Sequence, residues 1–173
     1  MIPVTYNGTN WVKGDVYNEW YDYINQEWAN AVTVTEENRA TYMSASAGTV
    51  IPMDDINTMW VWIPRYEYQY TNLGTQYAGG TQDLPGEIKI NFLSGTSNTP
   101  SDAANYKVHP AFTFGSEELT GIWVGKFETG GTLASACTNE SCDISNIVIK
   151  PNVKILNYQN VSTYFYSARS MQM

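Results

Sequence analysis

Two short blocks carry the densest apolar patterning in the chain. They are Met59-Trp60-Val61-Trp62-Ile63-Pro64-Arg65-Tyr66-Glu67-Tyr68 and Leu119-Thr120-Gly121-Ile122-Trp123-Val124-Gly125-Lys126-Phe127-Glu128-Thr129. Each begins apolar or aromatic at nearly every position and then alternates, so both predict strands. In the first block Trp60, Trp62, Tyr66, Tyr68 and Tyr70 fall on even positions, and Met59, Val61, Ile63, Arg65, Glu67 and Gln69 on odd ones. Before Pro64 both faces are apolar, as in a central buried strand. After it one face turns polar while the other stays aromatic. Pro64 donates no backbone hydrogen bond, so the strand is expected to bulge, bend or leave the sheet centre there. The same reading makes Trp62 and Trp123 core residues.

Weaker patterns fill in the rest. Trp11, Trp20 and Trp28 recur through residues 1–34, separated by the polar clusters Asn7-Gly8-Thr9-Asn10, Asp15-Val16-Tyr17-Asn18 and Ile24-Asn25-Gln26-Glu27. Each cluster is a turn signal between short aromatic strands. This predicts a small β-meander, with Trp20–Tyr23 and Glu27–Val32 as a hairpin. Its aromatic stripe has two readings: rings that stack on the faces of sugar rings, or cross-strand pairs that hold a small sheet together. Thr35–Met43 predicts a short helix capped by Thr35, with Glu36 and Glu37 at its positive end. Ile88–Phe92 alternates as a strand. Ser116–Leu119 predicts a helical turn. Asn160–Met171 predicts a helix with Val161, Phe165, Ala168 and Met171 on one apolar face.

Composition narrows the setting. In 173 residues the charged fraction is 15% and the aromatic fraction 14%, with 13 Tyr and 6 Trp. One domain with a real core fits this length. Low charge with much Tyr, Asn, Thr and Gly points to a β-rich extracellular or virion protein, although strands gather Tyr and Trp in any β-rich domain. The net charge of −8 argues against nucleic acid as a partner, since that affinity rests on Lys and Arg at phosphates. The longest apolar runs are about five residues, far short of the roughly 20 that span a bilayer as a helix, so no membrane insertion by this segment is expected. Met1–Tyr6 lacks the charged and apolar regions of a signal peptide. That is the expectation for export by another route, for a virion component, or for a chain whose leader has been removed.

Cys137 and Cys142 are the two cysteines and flank a polar turn. The spacing suits a local disulfide in an oxidising compartment, worth very roughly 2 kcal/mol, or two free thiols. A zinc site needs further ligands, and the chain's one His, His109, is far away in sequence. His109 precedes Pro110 in an apolar context and reads as structural. Asp54 and Asp55 are adjacent but lack EF-hand spacing, so capping is the expected role rather than calcium binding. No nucleophile and base stand at a recognisable spacing, so no catalytic residue, metal ligand or cofactor site is assigned. Asn7, Asn139 and Asn160 each open an N-x-S/T sequon, a match expected by chance in a polar chain.

Residues 71–86 and 93–105 are long loops rich in Gly, Ser, Thr, Asn and Tyr. The first lacks the Lys-Ser/Thr ending of a phosphate-binding P-loop. Loops of this length are uncommon in a compact domain unless they bind something or are mobile. Asn72, Gln76, Tyr77, Asn98 and Tyr106 are therefore the candidate ligand-contacting residues, the tyrosines first because each offers a wide face with a polar tip.

The two strand blocks, with Val108-His109-Pro110-Ala111-Phe112 just before the second, resemble the framework of the formylglycine-generating-enzyme family, a branch of the C-type-lectin-like fold. The likeness looks closest to uncharacterised Firmicute and phage-associated surface proteins, some with a pilin-like N-terminal anchor before a segment similar to Ile2–Trp11. It implies an α+β, β-rich, C-type-lectin-like domain at 35–173 preceded by the aromatic meander at 1–34, or one continuous domain. Related longer chains continue past the last helix, so this chain looks like the N-terminal part of such a protein or a shortened version. Catalysis in that family uses copper and a cysteine pair in the C-terminal half of the fold. Cys137 and Cys142 stand in an insertion that does not match that position, so the resemblance carries over no catalytic residue. The expected function is a non-catalytic binding or display module on a cell surface, pilus or virion, recognising a glycan or protein ligand. The alternatives are a structural virion protein that contacts neighbouring virion or pilus subunits, such as a tail or head-decoration component, and, last, a formylglycine-generating-type enzyme.

Overall fold

A computed structural model describes residues 1–71, 87–133, 137–139 and 141–171. In chain order its strands are β1 (Ile2–Tyr6), β2 (Trp11–Lys13), β3 (Asn30–Val34), β4 (Ile56–Pro64), β5 (Tyr66–Thr71), β6 (Glu87–Phe92), β7 (Lys107–Val108), β8 (Thr113–Phe114), β9 (Glu117–Glu118), β10 (Gly121–Gly125), β11 (Gly130–Gly131) and β12 (Ile147–Val148). The α-helices are α1 (Glu36–Ser44) and α2 (Val161–Ser170), and a single 3-10 turn spans Pro110–Phe112. The protein is thus α+β and rich in strands. It divides into two compact units, Met1–Val61 with Val124–Met173, and Trp62–Trp123.

In the first unit β1 is the hub. It pairs antiparallel with β2 through Tyr6↔Trp11 and with β3 through Ile2↔Val32. Alternation along β1 buries Ile2 and Val4, and they join Val32, Val34, Ile51, Ile56 and Met59 in one core. The turn between β1 and β2 is built by Asn7, whose Oδ1 accepts the N–H groups of Thr9 and Asn10, with Gly8 at φ +95°. β3 pairs antiparallel with β4 from Asn30↔Val61 to Val34↔Ile56. The aromatic segment 1–34 therefore shares a sheet with the chain that follows it. The full strand order is β10-β4-β3-β1-β2. The expected hairpin over 20–32 is reduced to a single bridge, Asp22↔Glu27, around a turn that Asp22 caps through Ile24 and Asn25. Polar turn residues occupy most of that stretch, so little of it is left for a ladder.

The helix at 36–44 forms where the pattern placed it, but Thr35 makes no side-chain cap and its Oγ1 is buried without a partner. Asp55 accepts the Tyr42 hydroxyl, a structural use of that acidic pair. β11 and β12 pair antiparallel and close the excursion that carries Cys137 and Cys142. These cysteines lie at disulfide distance, with Cα atoms 5.2 Å apart. The helix α2 also forms as expected, capped by Asn160, whose Oδ1 accepts the Thr163 N–H at 2.8 Å. Its buried face is the polar one and not the apolar face that the spacing marks out. Thr163, Ser167 and Ser170 are buried, while Val161 is 85% and Phe165 54% exposed.

In the second unit β4 ends at Pro64 and β5 begins at Tyr66, so the strand breaks at Arg65, directly after the proline that lacks a donor. The strand order is β6-β5-β7. Residues 116–119 form no helical turn. β8 and β9 make a tight hairpin around Gly115, at φ +66°, which supplies the left-handed residue. Trp62 and Trp123 are half-buried rather than fully buried. They meet edge-on with ring centroids 5.3 Å apart, and buried Gly121 admits the Trp62 ring against its own backbone.

Candidate functional site: an aromatic cleft with a half-buried lysine

Tyr6, at the end of β1, faces Trp11, at the start of β2, with ring centroids 5.4 Å apart. The segment after β2 contributes a chain of edge-on and tilted rings, Trp20 to Tyr21, Tyr21 to Tyr23 and Tyr23 to Trp28, each step 5.2 to 5.4 Å. Burial pushes the Tyr23 phenol up to about 12, so it is a neutral hydroxyl at all ordinary pH. Tyr6, Trp11, Trp20 and Trp28 then line a cleft of about 270 Å³, together with Thr5, Gln26, Glu27, Asn30 and Lys126.

Asn30 fixes the floor. It is buried, its Nδ2 donates to the Trp28 carbonyl at 2.5 Å, and its own carbonyl accepts the Trp20 indole N–H at 3.3 Å. That leaves Oδ1 to accept from Lys126 Nζ at 2.7 Å. The Lys126 ammonium also stands over the Trp11 ring, 5.3 Å from its centroid, a cation–π contact. Burial lowers the Lys126 pKa from the usual lysine value. Lys126 forms no ion pair among the described residues, where the Arg65–Glu118 bridge is found instead.

Beside the cleft lies a shallower depression lined by Lys13, Asp15, Glu19, Asp22 and Glu27, with Trp20 and Tyr21. Asp15 and Asp22 are engaged in their own turns: the Asn18 side chain and the Tyr17 N–H hold Asp15, and the Asn25 side chain with the Ile24 and Asn25 N–H groups holds Asp22. Those bonds draw both carboxyls below their ordinary values. No cluster of three metal-ligating side chains occurs among the described residues.

Of the candidates read from the loops, Asn72, Gln76 and Tyr77 lie outside the described residues. Asn98 and Tyr106 are described. Asn98 sits in a polar lattice, accepting from Arg65 and donating to Glu118. Arg65 is fully buried and also donates to the carbonyls of Ser97 and Leu119 at 2.9 Å. Two residues further on, in β5, buried Glu67 accepts the Ser101 N–H at 2.7 Å, the Ser101 hydroxyl, and Asn91 Nδ2 at 3.1 Å. The loop 93–105 is thus fastened from within by one buried cation and one buried anion. Tyr106 is half-buried where the Asp102 turn ends, its N–H donating to the Asp102 carbonyl at 2.8 Å. His109 Nδ1 accepts the Ala111 N–H at 3.2 Å and its ring packs by Tyr66 and Phe112, the structural role expected of it.

Asn30 and Lys126 escape sequence reasoning. Lys126 is 96 residues from its partner, and the sequence's one available signal is a lysine that follows the apolar run Ile122–Gly125. Comparison with protein-family models, curated proteins and solved structures finds no match for this chain.

Proposed function

We propose that this protein is a non-catalytic binding module that recognises a glycan, on a C-type-lectin-like scaffold of the formylglycine-generating branch, displayed on a cell surface or virion. The carrying observation is the cleft in which Tyr6, Trp11, Trp20 and Trp28 surround hydrogen-bonding groups of Thr5, Gln26, Glu27 and Asn30. Aromatic faces stack against the C–H faces of pyranose rings, and fixed amide and carboxylate groups select hydroxyl positions. Such a site needs a few well-placed polar groups within an apolar lining. The cysteine pair at disulfide distance supports an oxidising setting. The engagement of His109 in a backbone cap supports binding without turnover.

A glycan array tests the reading. The wild-type protein binds a defined subset of glycans, and the Tyr6→Ala/Trp28→Ala variant, still folded by circular dichroism, loses that subset. Binding that survives in the variant moves the site elsewhere. Conversion of a sulfatase-motif peptide cysteine to formylglycine in the presence of copper would restore the enzymatic alternative.

One observation favours a second reading, a structural subunit that pairs with copies of itself. β6 is an edge strand, exposed along its length. Cross-strand pairs Tyr66↔Phe92, Tyr68↔Ile90 and Tyr70↔Ile88 make one face of β5 and β6 continuously apolar. An antiparallel pairing of two β6 strands centred on Ile90 would set Ile88 against Phe92 and Lys89 against Asn91, with no like charges opposed. Light scattering separates the readings: a concentration-dependent dimer abolished by Ile90→Pro favours assembly, and a monomer at all concentrations favours the glycan module.

A further inference from the structure

Resting on the glycan reading of the cleft, we infer that its ligand is an acidic sugar, a pyranose that carries a carboxylate, and that Lys126 receives that carboxylate. Three observations converge on this. Lys126 lines the cleft between Trp11 and Asn30 and is partly withdrawn from water. Its ammonium has three donors. One goes to Asn30 Oδ1, and the Trp11 face supplies the other attraction. No carboxylate among the described residues lies within ion-pair distance of it. A half-buried cation held only by an amide oxygen and a ring face is incompletely compensated. An anion entering the cleft would complete it, in a place where the interaction is screened less than at an open surface.

The neighbours limit which anion fits. The aromatic rings call for a flat apolar face next to the charge, which a uronate ring has and an inorganic anion lacks. Glu27 also lines the cleft, and the adjoining depression carries Asp15, Glu19 and Asp22. The protein as a whole bears a net charge of −8. A polyanion of high charge density is therefore repelled outside the Lys126 position, and a single carboxylate per bound ring is favoured. Glu27 and Gln26 remain to take hydroxyls of the same sugar.

The experiment is isothermal titration of the full chain with matched pairs: trisaccharides of galacturonate, glucuronate and mannuronate, each as the free acid and as its methyl ester. The ester keeps the shape and removes the charge. The expected result is at least about ten-fold tighter binding of one acid than of its ester, a gap that shrinks as salt is raised. Lys126→Gln should abolish the gap, so that acid and ester bind that variant equally. Equal affinities for acid and ester in the wild type would overturn the inference while leaving the glycan reading in place. Silence for every acid and ester, together with no neutral glycan bound on the array, would remove both. The wild-type comparison stands without the variant, so a poorly folded Lys126→Gln does not shelter the inference.

Discussion

Arg65 and Glu67 are charged side chains with almost no access to water, and both are satisfied. Removing one partner of such a lattice leaves buried acceptors bare. Arg65→Met should therefore cost about 3 kcal/mol, read as a lowered urea midpoint. Glu67 adds a pH signature. Hydrogen bonds from the Ser101 side chain, then from the Ser101 N–H and Asn91, hold its carboxyl below the ordinary value of 4.5 against the opposing effect of burial. A depressed folded-state pKa means the unfolded chain binds more protons in acid. Glu67's contribution is then complete above about pH 4.5 and is lost as pH falls through the folded-state value. Urea melts at neutral and acid pH should show a smaller acid loss in Glu67→Gln than in the wild type; identical losses would remove Glu67 from the account. In sequence these residues read only as the polar face of a strand. Parity showed that Arg65, Glu67 and Gln69 share a side, but nothing local shows that this side is covered by the loop 93–105.

At the scale of elements, the strands around 59–63, 66–70, 88–92 and 121–125 and both helices were legible from apolar runs, alternation and flanking polar residues, although the cap read at Thr35 does not form. The hairpin at 113–118 was not: two Glu residues in a Ser-Glu-Glu-Leu run look like a helix start, and Gly115 with cross-strand pairing overrides them. The packed face of α2 was not legible either. Periodicity locates a face but does not say which face meets the protein, and here small polar residues pack inward. Thr163 Oγ1 is buried with no partner, so Thr163→Val should raise stability by about 1 kcal/mol. Val161→Lys should change it by less than about 0.5 kcal/mol. A Val161→Lys variant that melts like a core mutant would mean the apolar face is the packed one. In β10, Gly121→Ala should cost about 1–3 kcal/mol, because a Cβ there runs into Trp62 and the Ile63 carbonyl; an unchanged thermal midpoint would show that the Trp62 ring has room to move.

Across the whole molecule, the β-rich α+β class could be read from composition and pattern, and the spacing of Cys137 and Cys142 suited the disulfide distance at which they lie while leaving free thiols open. The cleft could be read only in part. Trp11, Trp20 and Trp28 stood out as a stripe, yet whether they bond a sheet or face a cavity depends on how β1, β2 and the turn at 22–27 are placed. Asn30 and Lys126 meet only through the fold. The central claim is that these rings form a sugar seat, and saturation-transfer difference NMR with the strongest array glycan tests it most directly. The account predicts transfer from the protein to the sugar's C–H face, together with its loss in Trp28→Ala at unchanged thermal midpoint. Equal transfer in wild type and in folded Trp28→Ala would contradict it.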